Sequence, residues 1–161
     1  MELKSLFGLP AHPLIVHAVV VLLPLASVGA IVTALVPRSR RAYAPLVLVL
    51  ALASTLFVAF AQGSGENLKE QVDETRLVEE HTEQGETVLP WAIALTIVAG
   101  AIVGAAAFER RYPDVSRKAL TSVLVVAALV TGVGATWTTM SVGHSGAKAT
   151  WSDVSAEDEG G

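Results

Sequence analysis

The chain has 161 residues, 52% of them hydrophobic and only 16% charged, with a mean hydropathy of +0.56 and no cysteine. That composition excludes most water-soluble classes, and the missing thiols exclude disulfides, thiolate metal ligands, cysteinyl iron–sulfur ligation, covalent haem attachment and cysteine nucleophiles. A formal net charge of -4, from 11 basic and 15 acidic residues, offers no concentrated basic face, so no nucleic-acid partner is expected.

Placement of charge is more informative than its amount. Every Lys, Arg, Asp and Glu falls outside four stretches, 5–37, 42–65, 87–108 and 119–147. Each exceeds the about 20 residues that a helix needs to cross hydrocarbon. Runs of β-branched residues at 19–21 and 123–126 would suit buried strands in a soluble protein, but these segments are far longer than strands. Helices are the only open-chain way to satisfy backbone polar groups in lipid. The expectation is an all-α, single-domain, four-helix transmembrane bundle, up-down-up-down, over 1–152. Its spans lie near 14–36, 43–63, 88–108 and 119–142, and a disordered acidic tail follows at 153–161.

In chain order, the first span follows the lone basic residue Lys4 and has an apolar run too long for a signal-peptide core, so it reads as a retained helix. Pro24 removes one backbone bond inside it and predicts a kink. The turn behind it carries Arg38, Arg40 and Arg41. After the second span, Leu68, Val72, Val78, His81 and Val88 fall close to a helical stripe among acids. The 63–87 connector is therefore read as an amphipathic outer helix, against the alternative of a solvated acidic surface that merely joins two spans. In the third span Gly100 and Gly104 form a small-xxx-small pair, suited mainly to packing within the bundle and alternatively to a homo-oligomer seam. Glycines 132 and 134 thin the fourth span, and Thr136, Thr138 and Thr139 can bond their own backbone or a buried partner. No internal repeat of convincing period is visible.

The two short connectors after spans one and three hold Arg38, Arg40, Arg41, Arg110, Arg111, Arg117 and Lys118, whereas the opposite flanks hold only Lys4, Lys69, Arg76 and Lys148. The positive-inside bias then puts both termini outside, in a multi-pass protein of the bacterial inner membrane. Aromatics agree: Trp91, Trp137 and Trp151 map near the outer boundary, Tyr43 and Tyr112 near the inner one.

This topology sends all four histidines, His12, His17, His81 and His144, to the outer half. His12 precedes Pro13, which favours a first helical turn. Five residues turn an ideal helix by about 500°, so His12 and His17 share a face only if His12 bends back from outside the helix. Glycines flank His144 in 143–146 and let the backbone turn sharply. Spans one and four are plausible neighbours, which brings His17 and His144 to face each other, with His81 reaching down beside Glu79, Glu80 and Glu83. Imidazoles with carboxylates suit Zn, Fe, Ni or Cu. Two imidazoles would alternatively hold haem b between helices, with Met140 a weaker thioether choice. Against both stands the ordinary role of histidine at a wet interface.

Gly8-Leu9-Pro10-Ala11-His12-Pro13, then Val16-His17 and Pro24, with Gly143-His144-Ser145-Gly146-Ala147 and Trp151, resemble a bacterial family of predicted four-helix membrane proteins, domain of unknown function 2231. The resemblance runs from His12 to Trp151, with His81 in the matching position between spans two and three. It implies four spans and, in some relatives, linkage to Rieske-type iron–sulfur domains, a hint of redox work that is weaker here because no such domain falls within these residues.

Three functions compete. The first is a haem- or metal-binding membrane module in electron transfer with a redox partner protein, with His17 and His144 as principal ligands and His12 and His81 as further ligands or supporting donors. The second is a metal-assisted hydrolase at the outer interface with Glu80 or Glu83 as base. The third is a structural or partner-binding subunit that uses the Gly100–Gly104 face and carries no cofactor. A transporter is disfavoured because no charge lies mid-span. Gly-His-Ser-Gly is not the Gly-x-Ser-x-Gly nucleophile elbow, and P-loop and dinucleotide fingerprints are absent.

Overall fold

The computed structural model describes residues 5–6, 9–69, 72, 75–112 and 118–158, with side chains described between His12 and Trp151. A short antiparallel ladder pairs β1 (Ser5–Leu6) with β2 (Leu9–Pro10) and leads directly into α1 (Ala11–Leu35). Then come α2 (Pro37–Lys69), α3 (Arg76–Glu86), α4 (Val88–Arg111) and α5 (Lys118–Asp158). Four segments are long and apolar enough to cross a membrane, His12–Leu35, Pro37–Lys69, Arg76–Arg111 and Lys118–Trp151, the third combining α3 and α4. The expected helical bundle is present. α1 packs on α2 and α5, α4 packs on the same two helices, and α1 faces α4 across the diagonal.

Local chemistry sets the boundaries. Pro37 opens α2 at a position where its missing N–H costs nothing, so one residue, Val36, is enough to reverse the chain. Thr75 caps α3, its hydroxyl accepting from the Val78 amide at 3.3 Å. The connector is thus a capped amphipathic helix, tied to α2 by Gln62 Nε2, which donates to the Gly85 carbonyl at 3.0 Å. α1 continues through Pro24 as one helix. α5 likewise runs unbroken through 143–146, where a sharp turn was expected, and on to Asp158 through 153–158, read above as a disordered tail. The last three residues of that tail lie outside the described residues.

The interior is built from small side chains. Ala26, Ala30, Ala51, Ala92, Ala99 and Ala128 are fully buried, while Val21, Ile97, Trp137 and Met140 are exposed. Small residues inside let helices approach closely, and large apolar ones outside are the surface that acyl chains cover. Thr55 Oγ1 bonds the Ala92 carbonyl at 3.1 Å and Thr96 Oγ1 at 2.9 Å, a polar tie between α2 and α4.

Two glycine expectations separate here. Gly132 and Gly134 do thin α5: a Cβ at Gly132 would meet Ile31 and Ser27 of α1, and one at Gly134 would run into the Trp91 ring of α4. Gly100 and Gly104 do not serve bundle packing, because nothing lies within 4 Å of the space a Cβ would take at either. They face outward. Gly134→Ala should therefore destabilise the bundle by about 1–3 kcal/mol through overpacking, whereas Gly104→Ala should be neutral or stabilising. Thermal unfolding of the two variants in one detergent checks the contrast.

The structure also contains a repeat that the residue pattern hides. Buried Val19, Leu23, Ala26, Ala30 and Thr33 of α1 recur at constant register as Val88, Ala92, Leu95, Ala99 and Ile102 of α4. Buried Val47, Ala51, Ser54 and Val58 of α2 recur as Ala128, Gly132, Ala135 and Thr139 of α5. The bundle is two helical hairpins related by an approximate two-fold axis along its length. Few identities survive because helix packing asks for size and spacing, not for particular side chains.

Candidate functional site: a histidine pair at one end of the bundle

α1 begins at Ala11, so His12 sits inside its first turn. Its half-buried ring crosses to the last turns of α2, where Nδ1 lies 3.0 Å from the Ala61 carbonyl and 3.1 Å from Ser64 Oγ. Gly65 makes room for it, since a Cβ there would stand 3.1 Å from His12 Cε1. His81, on α3, repeats the arrangement against α5. Its Nδ1 lies 3.1 Å from Ser145 Oγ, and a Cβ at Gly146 would stand 2.8 Å from its Cε1. Each histidine thus rests on a Ser-Gly step of the next span and bonds its serine, and His12 also bonds the carbonyl three residues before that serine.

Hydrogen-bond direction fixes the tautomer. Ser64 Oγ donates to the Ala61 carbonyl and Ser145 Oγ to the Val142 carbonyl, each at 3.0 Å. With those hydroxyl protons committed, the bonds to histidine must run from Nδ1–H to the serine oxygen, and in His12 to the Ala61 carbonyl as well. The proton of each neutral ring is on Nδ1, and Nε2 keeps its lone pair. No hydrogen bond reaches either Nε2 among the described residues. This is the outer-shell arrangement that orients imidazoles as metal ligands.

The other two histidines stand apart. His17 is exposed and returns its Nδ1–H to the Pro13 carbonyl at 2.6 Å. Because His12 lies within the helix and does not bend back from outside it, the rings of His12 and His17 point about 140° apart. His144 is exposed one residue before Ser145, since α5 continues as a helix and turns it away from the face that carries His81. Met140 is exposed too. Of the nearby acids, Glu80 pairs with Arg76 at 2.9 Å, and Glu79 and Glu83 are exposed. No group of three or more His, Asp or Glu placed to hold a metal ion occurs among the described residues.

A family model described as a predicted membrane protein of unknown function, DUF2231, matches residues 8–158. The chain belongs to the DUF2231 family. Comparison with curated proteins and with solved structures returns no match.

The opposite end of this DUF2231 bundle holds a feature that sequence reading missed. Arg40 and Glu109 are 0% and 1% exposed and form an ion pair at 2.5 Å. Arg40 Nε also donates to the Thr33 carbonyl at 3.2 Å and Nη2 to the Ala34 carbonyl at 2.7 Å, which caps the end of α1. Glu109 Oε2 is buried with no partner among the described residues. The two residues stand 69 positions apart, on α2 and α4. Counted by sequence they belonged to a basic connector. Nothing local signals a partner so distant.

Gly146→Ala should displace the His81 ring more than Gly65→Ala displaces that of His12, since the approach is closer at Gly146. Histidine chemical shifts compared between the two variants, with unfolding midpoints as control, check the order.

Proposed function

We propose that this protein is a membrane redox module that holds one b-type haem between His12 and His81 and passes electrons to or from a partner protein. One observation carries the reading: two equivalent imidazoles, one from each hairpin, both keep an Nε2 lone pair free and both bind through Nδ1–H to a serine hydroxyl. His12 and His81 would be the two imidazoles that hold the haem. A catalytic or structural zinc asks for three or four protein ligands, which the described residues do not assemble. The haem would supply one-electron chemistry, and the chain's own residues orient the imidazoles and raise their basicity by the Nδ1–H bonds. The positive-inside bias supports an orientation with this end and both termini on the non-cytoplasmic side of a bacterial inner membrane.

The test is one detergent-purified preparation of the full chain, with oxidised and reduced absorbance spectra and elemental analysis. A Soret band that shifts on reduction, with about one iron per chain, is the expected result. Stoichiometric Zn or Cu without haem absorbance would replace haem by a two-histidine metal site. Neither haem nor metal in protein expressed with adequate haem supply would overturn the proposal.

A further inference from the structure

The arginine end carries a second, independent feature, and from it we infer that this rim binds the phosphate headgroup of an anionic phospholipid. Arg38 and Arg41 lie in the first turns of α2, Arg110 and Arg111 in the last turn of α4, and Lys118 opens α5; all five are exposed. Arg110 Nη2 donates to the Arg41 carbonyl at 2.9 Å, so the groups from the two hairpins form one rim. Arg41, in α2, and Arg110, in α4, are thus tied across the two hairpins. The acid described at this end, Glu109, is neutralised by Arg40 inside the bundle. The surface cations are left uncompensated among the described residues.

The surroundings tell a lipid from a free anion. Tyr43 and Tyr112 are exposed, the Phe108 and Tyr112 rings pack at 5.0 Å, and the Arg111 guanidinium lies over the Tyr112 ring at 5.8 Å. Leu35, Leu46 and Phe108, at the same end of the bundle, are also exposed. A phosphodiester held by Arg41 and Arg110 has exposed apolar side chains of the spans close at hand for its acyl chains, and exposed tyrosines are favoured at headgroup level. Inorganic phosphate would gain the cations and nothing else. Basic rims of this kind recognise anionic headgroups, with about a thirtyfold preference expected from two arginines near the surface.

Native mass spectrometry of the full chain, released from nanodiscs with equal phosphatidylglycerol and phosphatidylcholine, reads the preference directly. Wild type should retain phosphatidylglycerol about thirtyfold over phosphatidylcholine, and Arg41→Gln/Arg110→Gln should lose most of that preference. Excess inorganic phosphate should leave the retained lipid in place. Equal retention by wild type, an undiminished preference in the double variant, or displacement by phosphate would each overturn the inference. The wild-type comparison needs no variant, so it decides the matter if the double substitution fails to fold.

Discussion

Arg40→Met should destabilise the bundle by about 3–5 kcal/mol, the usual cost of stripping one partner from a buried ion pair. The guanidinium does three things at once: it pairs with Glu109 and it closes the carbonyls of Thr33 and Ala34 at the end of α1. Removing it leaves a buried carboxylate with both oxygens unsatisfied, because Oε2 already lacks a partner. Glu109→Gln should cost less, because the amide oxygen still accepts from Arg40 and the buried charge pair becomes a charge–dipole contact. Arg40→Met/Glu109→Leu should recover most of the loss, since apolar replacement of a whole buried pair is often neutral or better. Unfolding midpoints for the four proteins in one detergent test this. An Arg40→Met protein as stable as wild type would mean that the pair contributes nothing.

His12→Ala and His81→Ala should each abolish six-coordinate haem, and the double variant should be no worse than either alone. A shared ligand set behaves as a unit, so effects within it do not add. Ser64→Ala and Ser145→Ala leave the rings in place but remove an oxygen that accepts from Nδ1–H, and should weaken retention about tenfold. His17→Ala and His144→Ala should retain haem at wild-type stoichiometry, because both rings lie outside the pair. The readout is the haem-to-protein ratio after gel filtration. Loss in the His17 and His144 variants with retention in the other two would put the ligands where sequence spacing alone had put them.

The fold was legible because charge is a strict marker: the cost of ionised groups in hydrocarbon confines them to span ends, and the four gaps between them are four helices. The gathering of imidazoles at one end followed from the same logic, but the choice of partners did not. A helix apolar on every side, such as α4, gives no moment to say which face turns inward, so Gly100 and Gly104 were assigned to the interior that they do not touch. The proposed pairing of His12 with His81, in place of His17 with His144, has a small local signal in the sequence. Ser-Gly occurs twice, at 64–65 and 145–146, each near the end of a span that follows a histidine-bearing segment. Arg40 and Glu109 had no such signal.

The length of α5 has a further mechanical meaning. From Lys118 to Ser145 the helix rises about 40 Å, whereas hydrocarbon is about 30 Å thick. An untilted α5 therefore outruns the acyl chains by about 10 Å, an excess shared between the end that carries the arginine rim and the end that carries His12 and His81.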